Sequence, residues 1–395
     1  MSGAAGLAVS RGSAEVRSPV AEIFRLHGPD YLREHLLTPE QAKALRAMIA
    51  CRTAVLGGHV DVCDDCGTAT PSYNSCRDRH CPNCQASAAK RWLKDQLDRV
   101  LPTPYFHVVF TLPASLRAVA LANPKFVYDL LFHAAQETLQ EMAARRLKAQ
   151  LGITAVLHTW TREMLLHPHL HCVVTGGGLS ADGLRWIAAR EDYLFPVKVM
   201  GTLFRGKFMD GLVRAYTAGK LHFAGGSEEL ADPMMFANMK ADLYKTHWVV
   251  YAKKPFGGPE QVIEYLGRYT HRVAISNSRI LSHTDEQVVI KTRGEQRCTM
   301  APDEFIRRFL LHILPHGFRK IRHYGLLAPC NVNTRRVTAK HLLQLADPCR
   351  DMPAYAAGEL LGDPIEVPPP VACCPACGSQ NLRREEIPRP PRGPP

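Results

Sequence analysis

The chain has 395 residues and carries 49 lysines and arginines against 37 aspartates and glutamates, a formal net charge of +12. With 46% hydrophobic and 22% charged residues it can bury a core of ordinary size. No apolar run approaches the roughly twenty residues of a membrane-spanning helix, and the basic excess points to a polyanionic partner. In chain order, MSGAAGLAVSRGSAEVRS lacks a continuous apolar segment and does not read as a secretory signal, so residues 1–20 are expected to be a disordered lead-in. Thr38 predicts a helix N-cap, with Pro39 at the first helical position and Gln41 closing a capping box, and the helix runs to about Cys51. A cysteine-rich segment occupies 63–84, a basic helix spans about Ser87 to Val100, and Pro102 and Pro104 mark a boundary. YFHVVFTLP, from Tyr105, predicts a buried strand and NPKFVYDLLFHAAQETLQEMAARRL a long amphipathic helix. Strands follow at ITAVLHTW and HLHCVVTGG, the second turning through Ser180-Ala181-Asp182-Gly183 into a hairpin. HWVVYAKKPF predicts a strand, PEQVIEYLGRYTHR a helix with Pro259 in its first turn, RILSHTDEQVVIKTR more strands, and PDEFIRRFLLHIL a helix. The tail from Pro364 is proline-rich and is expected to be extended and disordered apart from its cysteines.

Three histidines stand within five residues in His167-Pro168-His169-Leu170-His171. On a strand, residues two apart share a face and sit about 6.5–7 Å apart along the chain. His169 and His171 can therefore reach one divalent ion, with bonds of about 2.1 Å, while Leu170 and Cys172 face the core. Two imidazoles do not complete a coordination sphere. His158, His107 and His167 are each candidates for a further ligand, and the sequence does not choose among them.

Tyr265 and Tyr269 are four apart in EYLGRYTHR and would lie one above the other on a helix. Aromatic pairs at this spacing commonly pack in cores. Here Val262 and Leu266 supply a separate apolar stripe, and Arg268, His271 and Arg272 make the surroundings basic. A phenolate can attack phosphorus and leave a covalent ester, provided cations or a base assist a hydroxyl whose pKa is about 10.

CxxC spacing among thirteen cysteines favours reduced thiolates on zinc over disulfides. Cys63 with Cys66 and Cys81 with Cys84 have zinc-ribbon spacing and are expected to form one closed tetrahedral site. Cys76 and His80, between the knuckles, leave the ligand set open. The ribbon would present Arg77, Arg79, Lys90 and Arg91 to DNA. Cys373-Cys374-Pro375-Ala376-Cys377-Gly378 is half of another ribbon, to which Cys330 or Cys349 could contribute.

The stretches YNSCRDRHCPNCQ, FTLPASLR, HPHLHCVVTGGG, WVVYAKKPF, EYLGRYTHRVAISNSRI and PHGFRKIRHYGLLA occur in this order over about residues 55–330. In these the chain resembles the two-tyrosine rolling-circle transposases of bacterial insertion sequences, within the HUH endonuclease superfamily. Two features depart from the pattern: GHV precedes the first knuckle, and the doubled cysteine at Cys373-Cys374 has no place in it. The resemblance implies an α+β fold, an HUH-type antiparallel sheet of four or five strands flanked by helices, with an N-terminal zinc-ribbon domain. It implies that His169 and His171 bind magnesium or manganese, with His167 one of the three open candidates for the remaining position, and that Tyr265 and Tyr269 are nucleophiles. It also implies zinc as the structural metal, single-stranded element ends and target DNA as substrates, and action in the bacterial cytoplasm at the nucleoid, not at a membrane. Lys253, Arg268 and Arg272 join Arg77 and Arg79 as DNA-contacting candidates. The expected domains are a lead-in at 1–20, a helical and zinc-binding DNA-recognition domain at 21–101, and an HUH catalytic domain at 102–300. A helical basic region at 301–363 and a tail at 364–395 complete them.

The implied reaction leaves a 5′-phosphotyrosine and a free 3′-OH and keeps the bond energy in the ester. No nucleotide is consumed, in keeping with a sequence that has no GxxxxGK[ST] loop. A non-catalytic zinc-ribbon nucleic-acid-binding protein would explain the charge and the cysteines but leave the histidines and tyrosines as coincidence. A hydrolase using metal-bound water would form no covalent adduct.

Overall fold

The computed structural model describes residues 18–84, 99–256, 267, 274–346 and 373–390. The first elements are α1 (Pro19–Glu34), α2 (Pro39–Ala50), β1 (Gly58–Cys63) and β2 (Ala69–Tyr73). Next come β3 (Tyr105–Thr111), α3 (Arg117–Ala122), α4 (Pro124–Arg146), β4 (Ala149–Trp160), β5 (Leu166–Ser180) and β6 (Trp186–Ala188). They are followed by α5 (Val197–Thr217), α6 (Pro233–Lys245), β7 (Val250–Phe256), β8 (Ile280–His283), β9 (Val288–Lys291) and β10 (Arg297–Met300). The last are α7 (Pro302–Leu310), β11 (Ile321–Gly325), α8 (Arg335–Ala346) and β12 (Leu382–Ile387). No helix among the described residues is long and apolar enough to cross a membrane.

Helix starts follow their caps. The Thr38 hydroxyl accepts from Gln41 N–H and the Gln41 side chain accepts from Thr38 N–H, the capping box expected for α2. Helix α1 corrects the expectation of a disordered lead-in through residue 20. Ser18 is its N-cap, accepting from Ala21 N–H, Pro19 begins the helix, and Val20 is buried. Ser-Pro at a helix start is the same signal as Thr-Pro at 38–39, repeated twenty residues earlier.

The chain divides into two compact units that do not follow chain order: residues 1–88, 271–313 and 363–395 in one, and 89–270 and 314–362 in the other. The second unit holds an antiparallel sheet of order β11-β4-β5-β3-β7, with β6 paired to β5 beyond the Asp182-Gly183 turn. Its α+β, HUH-type architecture follows from strict alternation. Phe106, Val108 and Phe110 of β3, Ile153, Ala155 and Leu157 of β4, and Leu170, Cys172 and Val174 of β5 are buried together with residues of α4 and α5. The alternate residues, among them His107, His158, His169 and His171, face the other side. Strand β5 is central, paired to β4 along most of its length and to β3 from His169 to Thr175.

Two boundaries differ from the sequence reading. β11 lies in RKIRHYG, expected outside the domain at 102–300, yet it is the strand at one edge of the sheet that carries the histidine strand β5. Strands β8, β9 and β10 form a separate three-stranded sheet in the first unit. There Phe24 of α1 packs against Phe305 and Phe309 of α7, with ring centroids at 6.2 and 4.9 Å. The tail is not uniformly extended and disordered, because β12 pairs with β1 over six residues.

Candidate metal centres and catalytic face

The histidine face of the second unit is built by register. His158 on β4 lies directly across from His169 on β5, and Val109 on β3 lies across from His171. One ring nitrogen each from His158, His169 and His171 lies within 4.8 Å of the others. His167, expected as a further ligand, is not in this group. It is four residues from His171, about 13 Å along a strand, whereas directly opposed residues approach to about 5 Å. Pairing across the sheet therefore places His158 where spacing along the chain cannot place His167. Instead, the His167 carbonyl accepts from His169 Nδ1–H at 2.7 Å, which leaves His169 Nε2 as the nitrogen available to an ion.

His107, the third candidate, meets His171 rather than the shared centre: His107 Nε2 and His171 Nδ1 are hydrogen-bonded at 2.9 Å and the rings stack. Burial lowers the pKa of His107 to about 4, with the Lys253 cation adding to the effect, and burial likewise lowers His169 to about 4. His171 is also pushed down by burial, assisted by its histidine neighbours. Neutral imidazoles are the form that binds metal. Lys253, exposed on β7 opposite His107, shares this face, as does His323 of β11, opposite Thr154. The Thr154 hydroxyl and His323 Nδ1 are hydrogen-bonded at 3.0 Å, and burial beside Arg99 lowers the pKa of His323 to about 4. His323 was missed because RKIRHYG reads as a basic cluster. Tyr265, Tyr269, Arg268 and Arg272 lie outside the described residues, as do Lys90, Arg91 and all but the last two residues of the helix expected from Ser87 to Val100.

In the first unit the expected single site of Cys63, Cys66, Cys81 and Cys84 does not form. Cys51, Cys76, Cys81 and Cys84 make one cluster, and Cys63 and Cys66 meet Cys374 and Cys377 in another. The reason is local. Cys51 is the C-cap residue of α2, fully buried, with its sulfur 3.3 Å from that of Cys84 and 3.6 Å from that of Cys81, while Cys76 is 3.4 Å from Cys84. The neighbouring thiols hydrogen-bond to Cys84 and hold its pKa far below the usual thiol range, so the cluster favours a thiolate. Cys51 was missed because it belongs to no CxxC pair. Cys76 joins the cluster, but His80 does not: its Nδ1 is 3.0 Å from the Asp78 carboxylate. Arg77 and Arg79 are exposed on the segment between Cys76 and Cys81.

Residues 23–112 match the family described as "Transposase zinc-binding domain", and residues 152–335 match the family described as "Putative transposase". The protein named "Putative transposase y4qJ" from Sinorhizobium fredii is 48% identical over 338 residues, 83% of this chain and 85% of its own length. The "Transposase for insertion sequence element IS801" from Pseudomonas savastanoi pv. phaseolicola is 28% identical over 318 residues, 75% of this chain and 72% of its own length. The chain belongs to the two-tyrosine rolling-circle transposases of bacterial insertion sequences. As a transposase it is a DNA strand-transfer enzyme, and DNA is its substrate. Cys51, Cys76, Cys81 and Cys84 fall inside the transposase's zinc-binding segment, and four thiolates in contact suit a structural zinc. No solved structure matches the transposase chain.

Proposed function

We propose that this transposase nicks and rejoins single-stranded DNA at element ends through covalent 5′-phosphotyrosine intermediates, with Tyr265 and Tyr269 as the nucleophiles. The observation that carries the reading is the convergence of His169 and His171 on the central strand with His158 on its neighbour, on one face of an antiparallel sheet in a chain of this family. These three residues would hold manganese or magnesium. The donor set fits: desolvation keeps the His169 and His171 imidazoles neutral, and three nitrogen donors favour manganese of the two. A divalent ion there supplies positive charge to polarise the scissile phosphate.

The chain's own residues do the rest. One tyrosine oxygen attacks phosphorus and the bond from phosphorus to the 3′ oxygen breaks, with the proton passing to the departing 3′-OH. The phosphate stays on the 5′ end as a tyrosine ester of conserved bond energy. A 3′-OH later reverses the step, and the second tyrosine serves a second strand. Lys253, on the histidine face, and Arg268 and Arg272, beside the tyrosines in sequence, neutralise phosphate oxygens. Arg77 and Arg79 contact the DNA backbone from the zinc-binding domain. The reaction runs in the bacterial cytoplasm, at the nucleoid.

The test is a nicking assay on labelled single-stranded element ends, with and without manganese, followed by denaturing capture of protein–DNA adducts. Wild type yields a metal-dependent adduct. Tyr265→Phe/Tyr269→Phe binds the same DNA without nicking it, and persistent cleavage by this double variant sinks the tyrosine assignment. Cleavage without adduct would mean water is the nucleophile. Binding without cleavage in manganese would leave a non-catalytic DNA-binding protein.

A further inference from the structure

The pattern Cys-x-x-Cys-Gly occurs twice, at 63–67 and 374–378, and both copies fold the same way. In the first, Gly67 N–H donates to the Cys63 carbonyl at 2.8 Å and Cys63 N–H to the Thr68 carbonyl at 3.0 Å. In the second, Gly378 N–H donates to the Cys374 carbonyl at 2.8 Å and Cys374 N–H to the Ser379 carbonyl at 2.6 Å. Both glycines are left-handed, at φ +72° and +76°, which closes the turn so that its two sulfurs point the same way. The two turns face each other. The sulfurs of Cys63 and Cys377 are 3.6 Å apart, as are those of Cys66 and Cys374, 308 residues apart in sequence.

We propose that Cys63, Cys66, Cys374 and Cys377 hold a second structural zinc ion, which closes a zinc ribbon assembled from two distant parts of the chain and ties β12 to β1. The separation of the sulfurs decides the chemistry. Tetrahedral zinc with bonds of about 2.3 Å places its sulfurs about 3.8 Å apart, whereas a disulfide needs about 2.05 Å. The surroundings are built for this docking. Strand β12 pairs with β1 from Gly58↔Ile387 to Cys63↔Leu382, so the register delivers one turn to the other. Asp64 N–H donates to the Asn381 carbonyl at 3.0 Å, and the Asn381 amide reaches Asp65 at 3.1 Å. The buried Asp61 carboxylate receives two hydrogen bonds from Arg384, at 2.7 and 3.1 Å. Cys63 and Cys66 lie inside the segment matched by the zinc-binding family and Cys374 and Cys377 outside it, and since no cysteine is shared the site is additional to that of Cys51, Cys76, Cys81 and Cys84.

Metal analysis of the reduced full-length protein is expected to give two zinc ions per chain, and Cys374→Ser/Cys377→Ser one. A second measurement needs no variant. Cys66 and Cys377 are exposed and should react with iodoacetamide unless metal holds them. In zinc-loaded wild type both are expected to stay unmodified, and brief chelation should expose both together. One zinc per wild-type chain, two in the double variant, or alkylation of Cys66 and Cys377 in the zinc-loaded protein would each overturn the proposal. None of these readouts depends on DNA cleavage.

Discussion

His171 has two ring nitrogens with different tasks. If Nε2 faces the ion, Nδ1 carries the proton and donates to His107 Nε2, 2.9 Å away. His107 then fixes the tautomer and ring angle of a ligand without touching the metal. Partners of this kind typically change metal affinity by about ten- to a hundredfold. His107→Ala should therefore raise the manganese concentration for half-maximal nicking by roughly that factor, with the rate at saturating manganese near wild type. His107→Gln, whose amide oxygen still accepts, should recover part of the loss. A variant with unchanged manganese dependence and a lower maximal rate would show that His107 acts on the DNA instead. At this scale the sequence was half legible. The His-x-His pair follows from the two-residue period of a strand, but His158 and His107 join it through cross-strand register, which no spacing along the chain encodes.

Among the elements, Tyr105–Thr111 could be read directly as a short, nearly continuous buried run, and Leu166–Ser180 from the alternation over Leu166–His171 that leads into a buried run. β11 could not. It is five residues long with no fully buried position, so its lysine- and arginine-rich surroundings dominate the pattern. Its end is nonetheless tightly specified. Gly325, at φ +60°, sits where a β-carbon would run into the Leu151 carbonyl and the Gln140 side-chain amide, which is itself bonded to Leu151 at 3.1 Å. Gly325→Ala combines left-handed strain with a backbone collision, a cost of about 2–3 kcal/mol. In a unit of this size that lowers Tm by roughly 5–10 °C, measurable by calorimetry. An unchanged Tm would mean that the strand end relaxes freely and that β11 contributes little to the sheet.

Across the whole molecule, spacing along the chain favours contiguous domains and neighbouring knuckles, whereas neither the compact units nor the cysteine pairs follow chain order. Physically, nothing required it: loop closure costs grow only slowly with length, so Cys66 and Cys374 can meet as readily as nearer partners once β12 finds β1. In the histidine-bearing unit, His107, His169 and His323 have pKa values lowered to about 4 by burial, against about 6.5 in an unfolded chain. Their neutral state favours folding fully above pH 6.5. As pH falls from 6.5 towards 4 the unfolded chain takes up protons that the folded unit refuses, so stability drops by about 1.4 kcal/mol per pH unit for each histidine. His323 isolates this effect, since it belongs to neither cysteine cluster nor to the three-histidine centre. His323→Gln can keep a hydrogen bond to Thr154 but cannot titrate. Its unfolding free energy should fall less steeply than that of wild type between pH 6.5 and 4.5, by about 1.4 kcal/mol per pH unit, with the curves diverging only below pH 6.5. Parallel curves through that window would show that His323 protonates as readily folded as unfolded.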